Sequence, residues 1–268
     1  MAAGLCSVSR VKPKHIMDSV YRRWAEVRKP SKSDHSGVDS DGYYFVDDEE
    51  SGRRVFVSHP RRLAYYKEGI PARLANLAGE YCVMDLTFKP SDQVVDVGAH
   101  SGEFGLWVEQ FGVSYLGIEP DPVAYGALVR NLPDSTLEPV AIGAQAGRAR
   151  FSLATSTGDS SLEVGAGKSI TVQVKTLDEV VAQVFPSGPI ALLKIEAEGF
   201  EPEVLQGGAE TLGRTELVTV DAGEERSGQS TAPACINYLL GSGFKLRRVF
   251  LRRGIFLFSS ELFSGSLE

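Results

Sequence analysis

Three stretches carry residues whose types and spacing could do chemistry together. In Val94-Val-Asp96-Val-Gly98-Ala99-His100-Ser101-Gly102-Glu-Phe-Gly105, an apolar run leads into a glycine turn and then into a helical pattern. Gly98 and Gly102 let the backbone turn sharply and approach a ligand, and the helix N-terminus behind them presents free N–H groups. The spacing is D-x-G-x-x-x-G, not G-x-G-x-x-G. A carboxylate in that turn would repel the pyrophosphate of a dinucleotide. The same carboxylate would attract S-adenosylmethionine, which carries a sulfonium and an ammonium. Further on, Gly117-Ile-Glu119-Pro120-Asp121 closes a second apolar run with an acid placed to accept both ribose hydroxyls. Asp96 and Glu119 could each simply end a strand and cap the following helix, but together they favour a nucleoside site.

The third stretch is Lys194-Ile-Glu196-Ala-Glu198-Gly199. Strand alternation would put Lys194, Glu196 and Glu198 on one face. Two adjacent carboxylates suit a general base, or oxygen ligands for a divalent cation, while Lys194 would favour the ionised form. Asp221, ending Val-Thr-Val-Asp221, faces the same crevice, with Glu224 and Glu225 close behind. Glu196, Glu198 and Asp221 are therefore the catalytic candidates, and the same three are the candidate metal ligands. Glu201 and Glu203 around Pro202 read as a helix first turn.

Other polar groups rank lower. His100 could act as a base but more naturally packs against the cofactor or a carbonyl. Ser160 and Ser161, in a Gly/Ser-rich loop, could touch a ligand or merely shape that loop. Arg61, Arg62, Tyr65, Tyr66 and Arg73 mix guanidinium forks with aromatic faces, a combination suited to a phosphorylated or glycosylated acceptor. Of these, Arg61, Tyr66 and Arg73 are the substrate-binding candidates, along with Ser160 and Ser161.

These groups need elements to hold them. Strands are predicted at Gln93–Val97, Tyr115–Glu119, Thr136–Ile142, Ile190–Glu196 and Leu217–Asp221, alternating with helices near Glu103–Phe111, Pro122–Leu132, Leu177–Phe185, Glu201–Gly207 and Thr231–Leu240. Such alternation implies a parallel sheet covered on both faces. Arg150–Leu153 and Ile170–Lys175 are extra strands, and Lys245–Leu251 with Ile255–Ser259 reads as a closing hairpin. Upstream, Tyr43–Val46 and Arg53–Val57 suggest another hairpin. A helix from Pro71 places Leu74, Leu77, Ala78, Tyr81 and Met84 or Asp85 along one side. The expected organisation is a basic, flexible arm over 1–40, a hairpin and helical cap over 41–90, and a catalytic domain over 91–268.

Composition narrows the partners. The 268 residues carry a net charge of −7, and 43% are hydrophobic, which excludes disorder along the whole chain. Residues 1–32 hold eight basic side chains against two acidic ones, so the rest of the chain is strongly acidic. An acidic body argues against nucleic acid as a partner. The three cysteines are far apart and the four histidines do not cluster, so neither a disulfide framework nor a cysteine zinc site is expected. No run is long and apolar enough for a membrane span, and the expected setting is cytoplasmic. A homo-oligomer is compatible with the sequence.

From about Arg61 to Ser259 the chain resembles the FkbM-type S-adenosylmethionine-dependent O-methyltransferases. VVDVGAHSGEFG is similar to their cofactor loop, with His100 where Asn is common, and GIEPDP to their ribose-binding turn. PVAIGAQAGRARFSL resembles their third-strand segment and GDSSLE a Ser-Ser-Leu loop. LLKIEAEGFEPEVLQGGAETL resembles their K-I-D-x-E-G-x-E-x-x-V-L-x-G-A block, with Glu196 for the usual Asp. The resemblance implies an α/β fold: a doubly wound, mostly parallel seven-stranded sheet of the Rossmann-like class I methyltransferase type, order 3-2-1-4-5-7-6, with an N-terminal cap. It implies cofactor contacts from Asp96, Gly98, Ala99, His100, Ser101, Gly102, Glu119, Pro120, Ala141 and Ile142. It also implies methylation of a hydroxyl on a sugar, glycolipid or polyketide-type product. A nicotinamide oxidoreductase on a similar sheet, or a non-catalytic binding protein with this fold, are the competing readings.

Overall fold

The computed structural model describes residues 35–49, 51–153 and 169–266. Most of the basic arm, and Ser160 and Ser161, lie outside the described residues. The arm's expected boundary at residue 40 is crossed: His35–Val38 is strand β1, paired antiparallel with β2 (Tyr44–Asp48), which pairs with β3 (Arg53–Val57). The predicted hairpin is thus a three-stranded meander.

A 3-10 helix, Pro60–Tyr66, leads to the cap helix Ile70–Glu80, which buries Ile70, Leu74, Leu77 and Ala78. The helix stops earlier than its apolar pattern suggests. Tyr81 closes the last turn through the Leu77 carbonyl, and Cys82 adopts φ 60°, which turns the chain out of the helical path. Met84 and Asp85 therefore lie beyond the helix, and Asp85 pairs with Arg248 from the other end of the chain. Asn131 ties the meander to the sheet domain, accepting from Phe56 N and donating to the carbonyls of Phe56 and Ser101.

The domain is built on β4 (Gln93–Val97), β5 (Ser114–Ile118), β6 (Thr136–Glu138), β10 (Ile190–Ile195), β11 (Thr215–Asp221), β12 (Phe244–Phe250) and β13 (Ile255–Ser260). They order as β12-β13-β11-β10-β4-β5-β6. Only β13 runs antiparallel to the other six strands, lying between β11 and β12. Numbered within this sheet, the order is the 3-2-1-4-5-7-6 that the family resemblance implies. The remaining strands, β7 (Ala141–Ile142), β8 (Gly147–Ser152) and β9 (Ser169–Lys175), form a separate sheet, so the predicted strand Thr136–Ile142 is broken. Pro139 separates the two pieces and cannot donate to a ladder.

Every residue of β10 is buried, as expected for a central strand covered on both faces. Each fully buried Leu or Ile there contributes roughly 1.5–3 kcal/mol. Among the described residues, no helix is long and apolar enough to cross a membrane.

Candidate active site

The C-terminal ends of β4, β5 and β10 meet the cap around a cavity of about 460 Å³. Because β4 lies between β10 and β5, the turn at Gly98 has Glu196 on one side and Glu119 on the other.

Gly98 has φ 75°, and a Cβ there would stand 1.7 Å from the Glu196 carbonyl oxygen. The glycine is thus required both by backbone conformation and by the close passage of the chain leaving β10. Ala99 and His100 line the cavity. The His100 ring is held between Ser58 Oγ and Ser101 Oγ, each at 3.0 Å, which links the cap to the loop. Ser101 is buried behind the wall, and Gly102 caps the helix Glu103–Glu109.

Glu119 faces the cavity but is 6% exposed, and its carboxylate accepts from His100 N at 2.8 Å and Asp121 N at 2.7 Å. Burial pushes its pKa up to about 7 against those two donors. Pro120, Ala141 and Ile142 continue the wall beyond it.

Asp96 is placed differently from the sequence expectation of a charge facing the cofactor. It is wholly buried, off the cavity wall, with Oδ1 2.9 Å from Lys194 Nζ and Oδ2 accepting from Tyr115 OH at 2.7 Å. Its negative charge is answered inside the protein. Lys194 also donates to the Gly98 carbonyl at 2.7 Å, so the same ammonium fixes the turn. Burial opposes the Lys194 charge, but Asp96 and Glu196 outweigh it and raise its pKa.

Glu196 lies 3.3 Å from Lys194 Nζ, accepts from Arg253 NH2 at 2.7 Å, and receives a short hydrogen bond from Tyr81 OH. Burial works to raise its pKa, yet Lys194 and Arg253 outweigh that and hold it well below the usual carboxylate range. A carboxylate so firmly ionised is a fixed anion and a weak proton acceptor. Arg253 also reaches Asp221 Oδ2 at 2.6 Å and Glu80 Oε2 at 3.1 Å. Asp221 is buried off the cavity wall, its pKa raised by that burial and by Glu196.

Glu198 lines the cavity on a left-handed backbone, φ 49°, followed by Gly199 at φ 97°. Buried Glu201 builds this loop, accepting from Ala197 N and Gly199 N at 2.9 Å and from Thr231 Oγ1 at 2.7 Å. Glu225 lines the same side, with an Oε2 that is closed off and lacks a hydrogen-bond partner. Burial and the nearby Glu198 push its pKa up to about 10. Of the three carboxylates proposed as cation ligands, Glu196 and Asp221 share a guanidinium. Among the described residues, no group of three or more His, Cys, Asp or Glu is arranged to hold a metal ion.

In the cap, Arg61 is exposed and off the cavity, while Tyr66 is buried and donates to Glu103 Oε1 at 2.7 Å. Arg73 does line it, together with Arg62 and Tyr65. Sequence reasoning overlooked Glu103 and Arg253. Glu103 reads as an ordinary acid in a helix first turn. Arg253 had a usable signal: an antiparallel hairpin returning alongside β11 must put its turn at the C-terminal edge of the sheet.

The FkbM methyltransferase domain model matches residues 96–246. Among solved structures, the chain is similar to methyltransferase FkbM from Methylobacillus flagellatus KT, at 19% identity and TM-score 0.47, over 65% of this chain and 44% of that one. The chain thus spans less than half the length of that protein. It is also similar to magnesium protoporphyrin IX methyltransferase (ChlM) from Synechocystis PCC 6803, at 10% identity and TM-score 0.42, over 72% and 78% of the two chains. A third is the sugar N-methyltransferase KedS8 from Streptoalloteichus sp ATCC 53650, at 9% identity and TM-score 0.38, over 70% and 85%. No curated protein sequence matches. With more than half of its length matched by that domain model, the chain belongs to the FkbM methyltransferase family.

Proposed function

We propose that this protein is an S-adenosylmethionine-dependent O-methyltransferase whose acceptor is a hydroxyl of a sugar, glycoside, glycolipid or polyketide-type natural product. The observation that carries the reading is the placement of Glu119 and Glu196 on either side of Gly98, facing one cavity. The residues fit the cofactor: Glu119 is a buried acceptor set at the end of β5 for a ribose diol, and Gly98 and Ala99 leave room for close approach. When bound, S-adenosylmethionine supplies an electrophilic methyl carbon on a positively charged sulfur.

Methyl transfer to an oxygen demands alignment above all, and alignment can supply several kcal/mol. Glu196, clamped by Lys194, Arg253 and Tyr81, offers a fixed anion that orients the acceptor O–H. Glu198 takes the hydroxyl proton from the cavity side. Asp221 acts through Arg253, whose position it fixes.

Calorimetric titration with S-adenosylhomocysteine, followed by transfer of a labelled methyl group to a panel of saccharides and polyketides, tests this reading. Binding of S-adenosylhomocysteine with no binding of NAD(H) is expected, and the reverse would overturn it. Glu198→Gln is expected to lower kcat at least about a hundredfold with cofactor affinity retained. Wild-type turnover in that variant would remove Glu198 as the base.

A further inference from the structure

Two consecutive tyrosines in the 3-10 helix of the cap take opposite positions. Tyr66 is 3% exposed, and its hydroxyl donates to Glu103 at 2.7 Å, which anchors the helix. Tyr65 lines the cavity and yet stays 56% exposed. Guanidinium groups hold its ring in place: Arg73 lies 4.8 Å from the centroid and Arg62 lies 5.9 Å from it. Arg73 is itself forked onto Glu103, Nε to Oε1 at 2.9 Å and NH2 to Oε2 at 3.3 Å. Tyr65 is thus an open aromatic surface, positioned from behind, on the wall of the site. Such a surface suits the face of a ligand ring.

The charges around the cavity narrow the kind of ring. Each lysine and arginine on its walls has a carboxylate within 3.6 Å: Arg62 and Arg73 meet Glu103, Lys194 meets Asp96 and Glu196, and Arg253 meets Glu80, Glu196 and Asp221. Glu119, Asp121, Glu198 and Glu225 line the same walls in addition. Glu119, Asp221 and Glu225 can be set aside, because burial raises their pKa values. The remaining carboxylates still outnumber the lysine and arginine side chains. The proposed cofactor brings a sulfonium, an ammonium and one carboxylate, which reduces this excess without reversing it. A phosphate-bearing acceptor would enter against like charge. We propose that Tyr65 is a specificity-determining platform for an uncharged saccharide ring, whose C–H face lies on the tyrosine and whose hydroxyls donate to the acidic wall, and that the site refuses the phosphorylated form of the same sugar. This rests on the O-methyltransferase reading above and narrows its acceptor to an unphosphorylated sugar. Arginines beside tyrosines suit a phosphorylated or a glycosylated acceptor by type alone. Here the arginines are engaged by Glu103, and the aromatic face is what stays open.

The test uses protein saturated with S-adenosylhomocysteine and a panel of paired probes: methyl glycosides of hexoses and deoxyhexoses, and the anomeric phosphates of the same sugars. Affinities are read by saturation-transfer NMR titration. In the wild type at least one methyl glycoside is expected to bind at least about tenfold more tightly than its phosphate, and the gap is expected to narrow as salt is raised. Tyr65→Ala is expected to weaken that glycoside at least about tenfold and Tyr65→Phe by less than about twofold, both with S-adenosylhomocysteine affinity retained. Binding of no methyl glycoside, equal or tighter binding of the phosphates, or an unchanged glycoside affinity in Tyr65→Ala would overturn the platform while leaving the cofactor reading in place. Failure of the wild type to bind S-adenosylhomocysteine, titrated first and without sugar, would overturn the cofactor reading and the platform with it.

Discussion

Lys194 Nζ lies 2.9 Å from Asp96 Oδ1 at a point closed to water, where each side chain is at most 2% exposed. The contact joins the two central strands, β10 and β4, directly beneath the turn at Gly98. Lys194→Met would leave Asp96 buried and deprive both Glu196 and the Gly98 carbonyl of their ammonium. Breaking one side of a buried pair costs roughly 3–5 kcal/mol. Urea denaturation is expected to show a loss of that size, and a loss below about 1 kcal/mol would mean the pair is not holding the strands.

On the proposed cofactor reading, Glu119 gives nucleoside binding a pH dependence. Its pKa is raised from the usual 4.5 to about 7, so the folded, ligand-free protein takes up a proton there that the unfolded chain does not. The stability linked to this group is fully present below about pH 4.5 and is lost as pH rises through about 7. Only the ionised form can accept from both ribose hydroxyls. S-adenosylhomocysteine affinity should therefore weaken as pH falls from about 8 to about 6, and Glu119→Gln should bind weakly with no such slope.

Gly98 and Gly42 separate backbone strain from collision. Both have positive φ, but a Cβ at Gly42 meets nothing within 4 Å, whereas one at Gly98 strikes the Glu196 carbonyl. Gly42→Ala is expected to cost about 1–2 kcal/mol, the left-handed penalty alone. Gly98→Ala should cost about 3 kcal/mol or more and abolish cofactor binding, as read by melting temperature and titration.

Glu225→Gln should stabilise the protein. The native pKa of about 10 lies far above the usual 4.5, so stability tied to this carboxyl is fully present only at acid pH and is eroded as pH climbs toward 10. A glutamine keeps the neutral form at every pH. The gain in melting temperature is expected to reach about 2–4 °C near pH 8 and to shrink toward pH 5, as followed by scanning calorimetry. A gain independent of pH would point to packing instead.

The sheet was legible in the sequence because its central strands are mostly apolar and its turns carry Gly or an acid at fixed offsets. Gln93–Val97 and the Glu119 turn needed no tertiary information. The break at Pro139 was visible as a residue but not as a change of sheet, because nothing local says which ladder a short strand joins. The cap helix pattern ran past its end, since Tyr81 continues the buried face after the backbone has left the helix. Asp96 shows the limit most clearly: spacing placed it beside the cofactor loop, but only the packing of Lys194 and Tyr115 reveals which way its charge is spent. Arg253 and Glu103 meet their partners across long stretches of chain, where periodicity says nothing.

Arg253 joins Glu80 at the end of the cap helix to Glu196 and Asp221 at the ends of the central strands. During vectorial synthesis on a ribosome, the cap and the strands β4, β5, β6, β10 and β11 all emerge before this arginine does. Until the turn between β12 and β13 arrives, Glu80, Glu196 and Asp221 are three carboxylates lacking their shared cation. A nascent chain can therefore have most of its sheet folded and still lack a working site, so that competence appears as a late, abrupt event instead of growing with chain length.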